Sequence, residues 1–202
     1  MLTEGENTLE IDNKWPEIAI FQTKKYRNAR VEAHNALFWM ARASHSFLDP
    51  TLGNSHLSLF WNEDHCDFRT RLLVDGCQIG LHLPDLELYF CDHGEKVPHS
   101  FWLDDRTPAF VEAWYLVELL HRGIEQEKFS TALPFESPDM LMGDTEDHNA
   151  SLFKTELTGM SECLIGAINI LKIVADQLAR HKDFANNPGQ ITLEPQSFTL
   201  MT

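Results

Sequence analysis

The sequence lacks a continuous apolar run of about 20 residues, the length that spans a bilayer. Its longest apolar stretch, residues 164 to 174, is interrupted by Gly166, Asn169 and Lys172. The first 13 residues are polar and acidic, without the cationic start and apolar centre of a secretory signal. These absences predict a cytoplasmic protein without a membrane segment.

Cysteine is scarce and widely spaced. The four cysteines, at positions 66, 77, 91 and 163, form no CxxC pair that would indicate a zinc knuckle or a redox centre. Free thiols are typical of a reducing compartment, in agreement with a cytoplasmic location. We expect Cys77 to be a small core residue in a strand.

Familiar catalytic motifs are also missing. The sequence contains no GxSxG nucleophile elbow, no glycine-rich phosphate loop and no HExxH metal motif. It therefore leaves open whether the chain is an enzyme.

Basic residues are few, with 16 Lys and Arg against 31 Asp and Glu, for a formal net charge of −15. Between residues 85 and 162 the count is seventeen acidic to five basic side chains. Because phosphate neutralisation needs cations, direct nucleic-acid binding is disfavoured. One alternative function follows from the charge alone, an acidic protein that mimics nucleic acid. The early basic residues predict a solvated helix edge; they are Lys24, Lys25, Arg27, Arg30 and Arg42.

What the chain does have is enough apolar material for one core. Of its 202 residues 43% are hydrophobic, including 13 Phe and 5 Trp, and no low-complexity stretch divides it. We interpret residues 1–13 as a tail and residues 14–202 as a single domain.

Hydrophobic periodicity predicts three helices. A long one covers residues 24 to 48, with Leu37 on its apolar stripe, and a medium one starts at Pro108 and ends near Gly123. A second long helix covers residues 151 to 181, with Leu164 central to its stripe. Residues 129 to 150, rich in turns and acids, are expected to form a long surface connection.

Between the first two helices the period changes to two, the pattern of strands. Asp75-Gly76 is typical of a type I′ hairpin turn between residues 70 to 74 and 77 to 83. The predicted fold is α+β: an antiparallel meander sheet of four to six strands packed against two long helices and one medium helix. Ile79, Leu81, Leu88 and Phe90 should lie on its inner face, and residues 190 to 194 should add a last strand.

The order of several short motifs resembles a bacterial domain family of unknown function, whose members carry a closing segment of the type W-P-H-H-F-D-L-A. The matching pieces are Trp15-Pro16, Ala33-His34, Asn54-Ser55-His56, residues 86 to 93, and Phe135 with residues 144 to 148. The closing segment here keeps Pro195, Phe198 and Leu200 but lacks the Trp and the paired histidines. The resemblance implies a shared fold and little chemistry, since the family has no established activity.

A metal site is one functional hypothesis. Asp92, His93, Asp147 and His148 are the donor types that Zn²⁺, Mn²⁺ or Fe²⁺ binds, and they would make the chain a metal-dependent hydrolase with a divalent metal as cofactor. The same residues are also typical of a turn and of a solvated acidic loop. We expect the two segments to stay apart, with His93 and His148 exposed.

The leading hypothesis rests on aromatic residues. Neighbours such as Trp114 and Tyr115 point in different directions on a helix, so some aromatic side chains should face a pocket or another subunit, as in a homodimer. The function that this favours is non-enzymatic binding of a partner protein or small ligand. The residues predicted to form that surface are Trp39, Trp61, Trp102 and Tyr115.

Overall fold

The computed structural model describes residues 21–62, 65–130, 132, 134–136, 140–179, 192–197 and 199–201. The helices are α1 (Lys24–Phe47), α2 (Pro108–His121) and α3 (Lys154–Ala179). The strands are β1 (Leu59–Asn62), β2 (Asp67–Arg69), β3 (Cys77–His82), β4 (Glu87–Asp92), β5 (Glu95–Lys96), β6 (Phe101–Trp102), β7 (Thr192–Glu194) and β8 (Thr199–Met201). The N-terminal tail, residues 1–13, lies outside the described residues.

All the strand pairs are antiparallel, and the sheet has the order β5-β4-β3-β2-β1-β7-β8, with β6 also pairing with β4. The α+β class and the antiparallel meander are therefore confirmed. The described strands number eight, more than expected, because β5 and β6 are separate two-residue strands on β4 and a β7–β8 hairpin extends the β1 side.

The Asp75-Gly76 turn forms as predicted, with φ of 50° and 76° at its two central residues. Its first arm differs from the prediction, since the regular strand there is β2 rather than residues 70 to 74. Thr70 N–H donates to Ile79 O and Leu73 N–H donates to Cys77 O. Three residue steps on one arm thus face two on the other, which is the geometry of a bulge.

The second half of the α1 helix is buried in the core, whereas much of its first half is exposed. Thr23 caps its first turn by accepting a hydrogen bond from Tyr26 N–H at 3.0 Å, and every residue from 35 to 44 is buried. Small side chains such as Ala36 and Ala43 let neighbouring elements approach closely. The prediction of a solvated basic edge is wrong for Arg42, which is only 6% exposed.

The core lies between α1 and the inner face of the sheet. Ile79, Leu81, Leu88 and Phe90 are all buried, which confirms the predicted inner face. Leu37 is also fully buried, as predicted.

The α3 stripe is less uniform than predicted. Leu157, Met160 and Ile168 are buried, whereas Leu164 is half-buried and Val174 is exposed. Only part of α3 packs against the core, so its apolar stripe is buried only along that part.

Helix length and composition also bear on the membrane prediction. Ala150–Gln177, 28 residues, is long and apolar enough to cross a membrane, in contrast with our expectation from the interrupted apolar run. Buried core helices of globular proteins meet the same criterion; α3 places Leu157, Met160 and Ile168 in the core, but only 33% of its apolar window is buried.

Candidate functional site

The four predicted metal ligands lie in different environments. Asp92 Oδ1 accepts from Arg122 Nε at 3.1 Å, His93 and Asp147 are exposed, and His148 is buried. The described residues bring three donor atoms within 4.8 Å of one another in two places, His99–Glu118–His121 and His82–Asp85–Glu87. Neither group contains any of the four, so no three of them come together.

His148 is buried because it anchors the segment before α3 to α1. Its Nδ1 lies 2.9 Å from Glu32 Oε2, and Glu32 Oε1 also accepts from Asn149 N–H. The His148 backbone bonds Asp105 and Arg106 just before α2. The expectation of an exposed His148 is therefore wrong. Hydrogen bonds join His148 to α1 and to the segment just before α2.

The four predicted aromatic residues separate into one pair and two single side chains. Trp39 of α1 stacks on Tyr115 of α2, with ring centroids 5.8 Å apart, and both are buried. Trp61 packs edge-on against Phe68 in the sheet. Trp102 is 53% exposed on β6, opposite Glu87. The structure thus brings together Trp39 and Tyr115 only.

Trp39 also forms part of a cleft between α1, α2 and the segment that follows residue 140. We call it the Trp39 cleft, and its volume is about 240 Å³. Its lining residues are Phe38, Trp39, Arg42, Pro108, Ala109, Glu112, Leu141, Met142 and Gly143. Most of these are apolar, and two are charged, as is common in small-molecule sites.

Arg42 is the charged residue at the base of this cleft. Its Nε donates to Ser130 O at 2.7 Å, and its Nη2 donates to Glu112 Oε1 at 2.7 Å. Its guanidinium also lies over the rings of Trp39 and Phe129, at 5.1 and 4.5 Å from their centroids. The positive charge is therefore neutralised by Glu112 and stabilised by two aromatic faces.

Hydrogen bonds fix the third wall of the cleft. Leu141 N–H donates to Asn35 Oδ1 at 2.8 Å, and Ala109 N–H donates to Gly143 O at 3.0 Å. Thr107 Oγ1 donates to Asp144 Oδ1 at 2.8 Å. The wall is thereby bonded to both helices that it faces.

A second, larger depression lies on the sheet beside Trp61. It has a volume of about 590 Å³, and Asn62, Arg69, Arg71 and Gln78 give it a polar lining. It is more open than the Trp39 cleft, so a ligand there would keep more of its surface in water. We therefore take the Trp39 cleft as the candidate site.

Sequence reasoning missed Arg42 and Glu112. The signal for Arg42 was present, since it is the one charged side chain in the apolar run of residues 36 to 43. A charge within such a run is costly to bury unless it is paired, and so it indicates a partner. Glu112 carries no comparable signal, because a single Glu in a helix is ordinarily a solvated residue.

Comparisons of the chain with protein-family models, with curated proteins and with solved structures give no match, so the resemblance to a bacterial family stays a prediction.

Proposed function

We propose that this chain is a binding domain that holds a small, planar, uncharged ligand in the Trp39 cleft. The observation that carries the proposal is the ion pair between the buried Arg42 and the partly exposed Glu112 in an otherwise mostly apolar cleft. The ligand would pack on the apolar lining and donate one N–H or O–H hydrogen bond to Glu112.

Electrostatics favour an uncharged ligand. Arg42 and Glu112 cancel each other's charge, so neither an anion nor a cation gains a net Coulomb attraction inside the cleft. Arg42 already donates to Glu112 and Ser130 and lies over two rings. The half-buried Glu112 carboxylate retains lone pairs that can accept a further hydrogen bond.

The size of the cleft limits the ligand. A volume of about 240 Å³ lies just below the range of roughly 300–1,000 Å³ that is usual for drug-sized molecules. The cleft therefore suits a one- or two-ring compound better than a nucleotide.

Indole and 1-methylindole make a matched pair of probes, because methylation removes the only N–H donor. We expect two-dimensional NMR titration of the protein with indole to give saturable shifts at Ala109, Glu112 and Met142. The affinity for 1-methylindole should be roughly tenfold lower, the effect of losing one hydrogen bond to a charged acceptor.

Two variants on α2 locate the binding. Ala109→Trp fills the cleft, whereas Ala113→Trp adds the same side chain at an exposed position one turn along that does not line the cleft. Indole binding should be lost in A109W and kept in A113W. Equal binding to both variants, or no saturable shift with either probe, would contradict the proposal.

A further inference from the structure

The C-terminal end of α2 carries a cluster of three metal-ligand side chains that is separate from the Trp39 cleft. Glu118 and His121 are three residues apart on α2, so they lie on one face, and His99 comes from the segment between β5 and β6. The Nδ1 atoms of His99 and His121 each lie 3.7 Å from Glu118 Oε1.

A hydrogen bond to its other carboxylate oxygen, Oε2, holds Glu118 in place. It is only 4% exposed, and its Oε2 accepts from Arg122 Nη1 at 2.7 Å. Arg122 donates from Nε to Asp92 Oδ1 at 3.1 Å. Two carboxylates thus share one guanidinium, which leaves one negative charge and directs Glu118 Oε1 at the two imidazoles.

The backbone at His99 shows that its position is unusual. His99 follows Pro98 and has a φ of 80°, a left-handed conformation that Gly or Asn adopts more readily than His. The Trp114 indole N–H donates to His99 O at 3.2 Å and so fixes this conformation. This strained backbone, held by the hydrogen bond from Trp114, places the His99 imidazole beside Glu118 and His121.

We propose that His99, Glu118 and His121 form a three-ligand site for a divalent transition metal, with Zn²⁺ as the best fit. Two imidazoles and one carboxylate are a donor set of open zinc sites. Metal–ligand bonds of about 2.0–2.2 Å in tetrahedral geometry require donor atoms about 3.3–3.6 Å apart. The 3.7 Å distances to Glu118 need only a small closure.

The surroundings suit a bound ion that keeps a free coordination position. The side chains of His99 and His121 are 70% and 57% exposed, so the fourth position faces solvent and would take water. Arg122 behind Glu118 would orient the carboxylate, as outer-sphere partners of metal ligands usually do.

The other cluster of possible ligands is a weaker candidate, because lysines already compensate its acids. Lys96 Nζ lies 2.6 Å from Glu87 Oε1, and Lys154 Nζ lies 3.7 Å from Asp85 Oδ2. His82 of that cluster therefore serves as a control.

The test is metal binding to the full chain after treatment with a chelator. Isothermal titration with Zn²⁺ should give one ion per chain, and Co²⁺ should give the visible absorption of a tetrahedral site. His99→Ala and His121→Gln should each weaken Zn²⁺ binding roughly tenfold or more. His93→Ala and His82→Ala, which leave the site intact, should bind as the unchanged protein does.

Circular dichroism would establish that each variant is folded, and two exposed histidines give two independent chances to obtain a folded one. The proposal would be overturned by the absence of Zn²⁺ binding to the unchanged protein. It would also be overturned by unchanged binding in both His99→Ala and His121→Gln, or by loss of binding in His82→Ala.

Discussion

At the scale of single residues, Gly80 shows how one missing side chain lets the sheet pack. It lies in the middle of β3, directly opposite Tyr89 of β4. The Tyr89 ring occupies the space where a Cβ atom of residue 80 would lie. Tyr89 is 2% exposed, and Lys96 Nζ lies 4.2 Å from its ring centroid, so the ring has little freedom to move away.

We predict that Gly80→Ala lowers the free energy of unfolding by about 1–3 kcal/mol, because the new methyl group overpacks against Tyr89. The sign of this change in stability is informative, because a Gly to Ala substitution within a strand otherwise stabilises the protein by about 0.5–1 kcal/mol. Urea unfolding measures the change. In a Tyr89→Ala background the same substitution should no longer destabilise, and an equal loss in both backgrounds would show that the ring is not the cause.

At the scale of secondary-structure elements, α3 changes its environment along its length. Met160 and Ile168 are buried in the core, Leu164 between them is half-buried, and Val174 is 44% exposed near the end. All four lie on the same predicted apolar stripe, so sequence periodicity alone predicts the same degree of burial for each of them.

We predict a graded series for truncations on α3. Ile168→Ala should lower the free energy of unfolding by about 2–5 kcal/mol, the range for buried aliphatic side chains. Leu164→Ala should cost less than that, and Val174→Ala should stay within about 0.5 kcal/mol of the unchanged protein. Denaturant midpoints at constant slope would show the order, and a Val174→Ala loss as large as that of Ile168→Ala would contradict it.

The difference between local sequence patterns and long-range contacts explains which elements could be predicted. The turn depends on Asp75 and Gly76, and the helices depend on periodicity within one segment, so local sequence was sufficient for both, although not for the bulged first arm of the hairpin. The contacts of His148 with Glu32 and of Arg42 with Glu112 join residues 116 and 70 positions apart. No pattern within one segment encodes such pairs, and the second of them, Arg42 with Glu112, lines the Trp39 cleft.

At the scale of the whole molecule, folding raises the pKa of two cysteine thiols. Cys77 and Cys91 are buried in neighbouring strands, and burial raises the pKa of the Cys77 thiol to about 12 and that of Cys91 to about 11. In the unfolded chain a thiol titrates near pH 8.5. Above that pH the unfolded chain therefore binds fewer protons than the folded protein.

We predict that the free energy of unfolding falls as the pH rises from about 8.5 to 11, because thiolate formation then favours the unfolded chain. The stability that the protonated thiols provide is complete below pH 8.5. Each thiol should contribute a slope of about 1.4 kcal/mol per pH unit within this window. Urea unfolding at several pH values measures the slope, which should become shallower in the Cys77→Ala/Cys91→Ala double variant. Identical slopes for the two proteins would exclude the thiols as the source.

The bonded third wall of the Trp39 cleft would have a consequence for the binding kinetics of the ligand that we propose for it. Because residues 141–144 are bonded to Asn35 on one side and to Thr107 and Ala109 on the other, the cavity exists before any ligand arrives. Little chain entropy is then lost on association, and no opening step precedes it. The observed association rate should rise linearly with ligand concentration and show no plateau, so differences in affinity between related ligands should appear in their residence times.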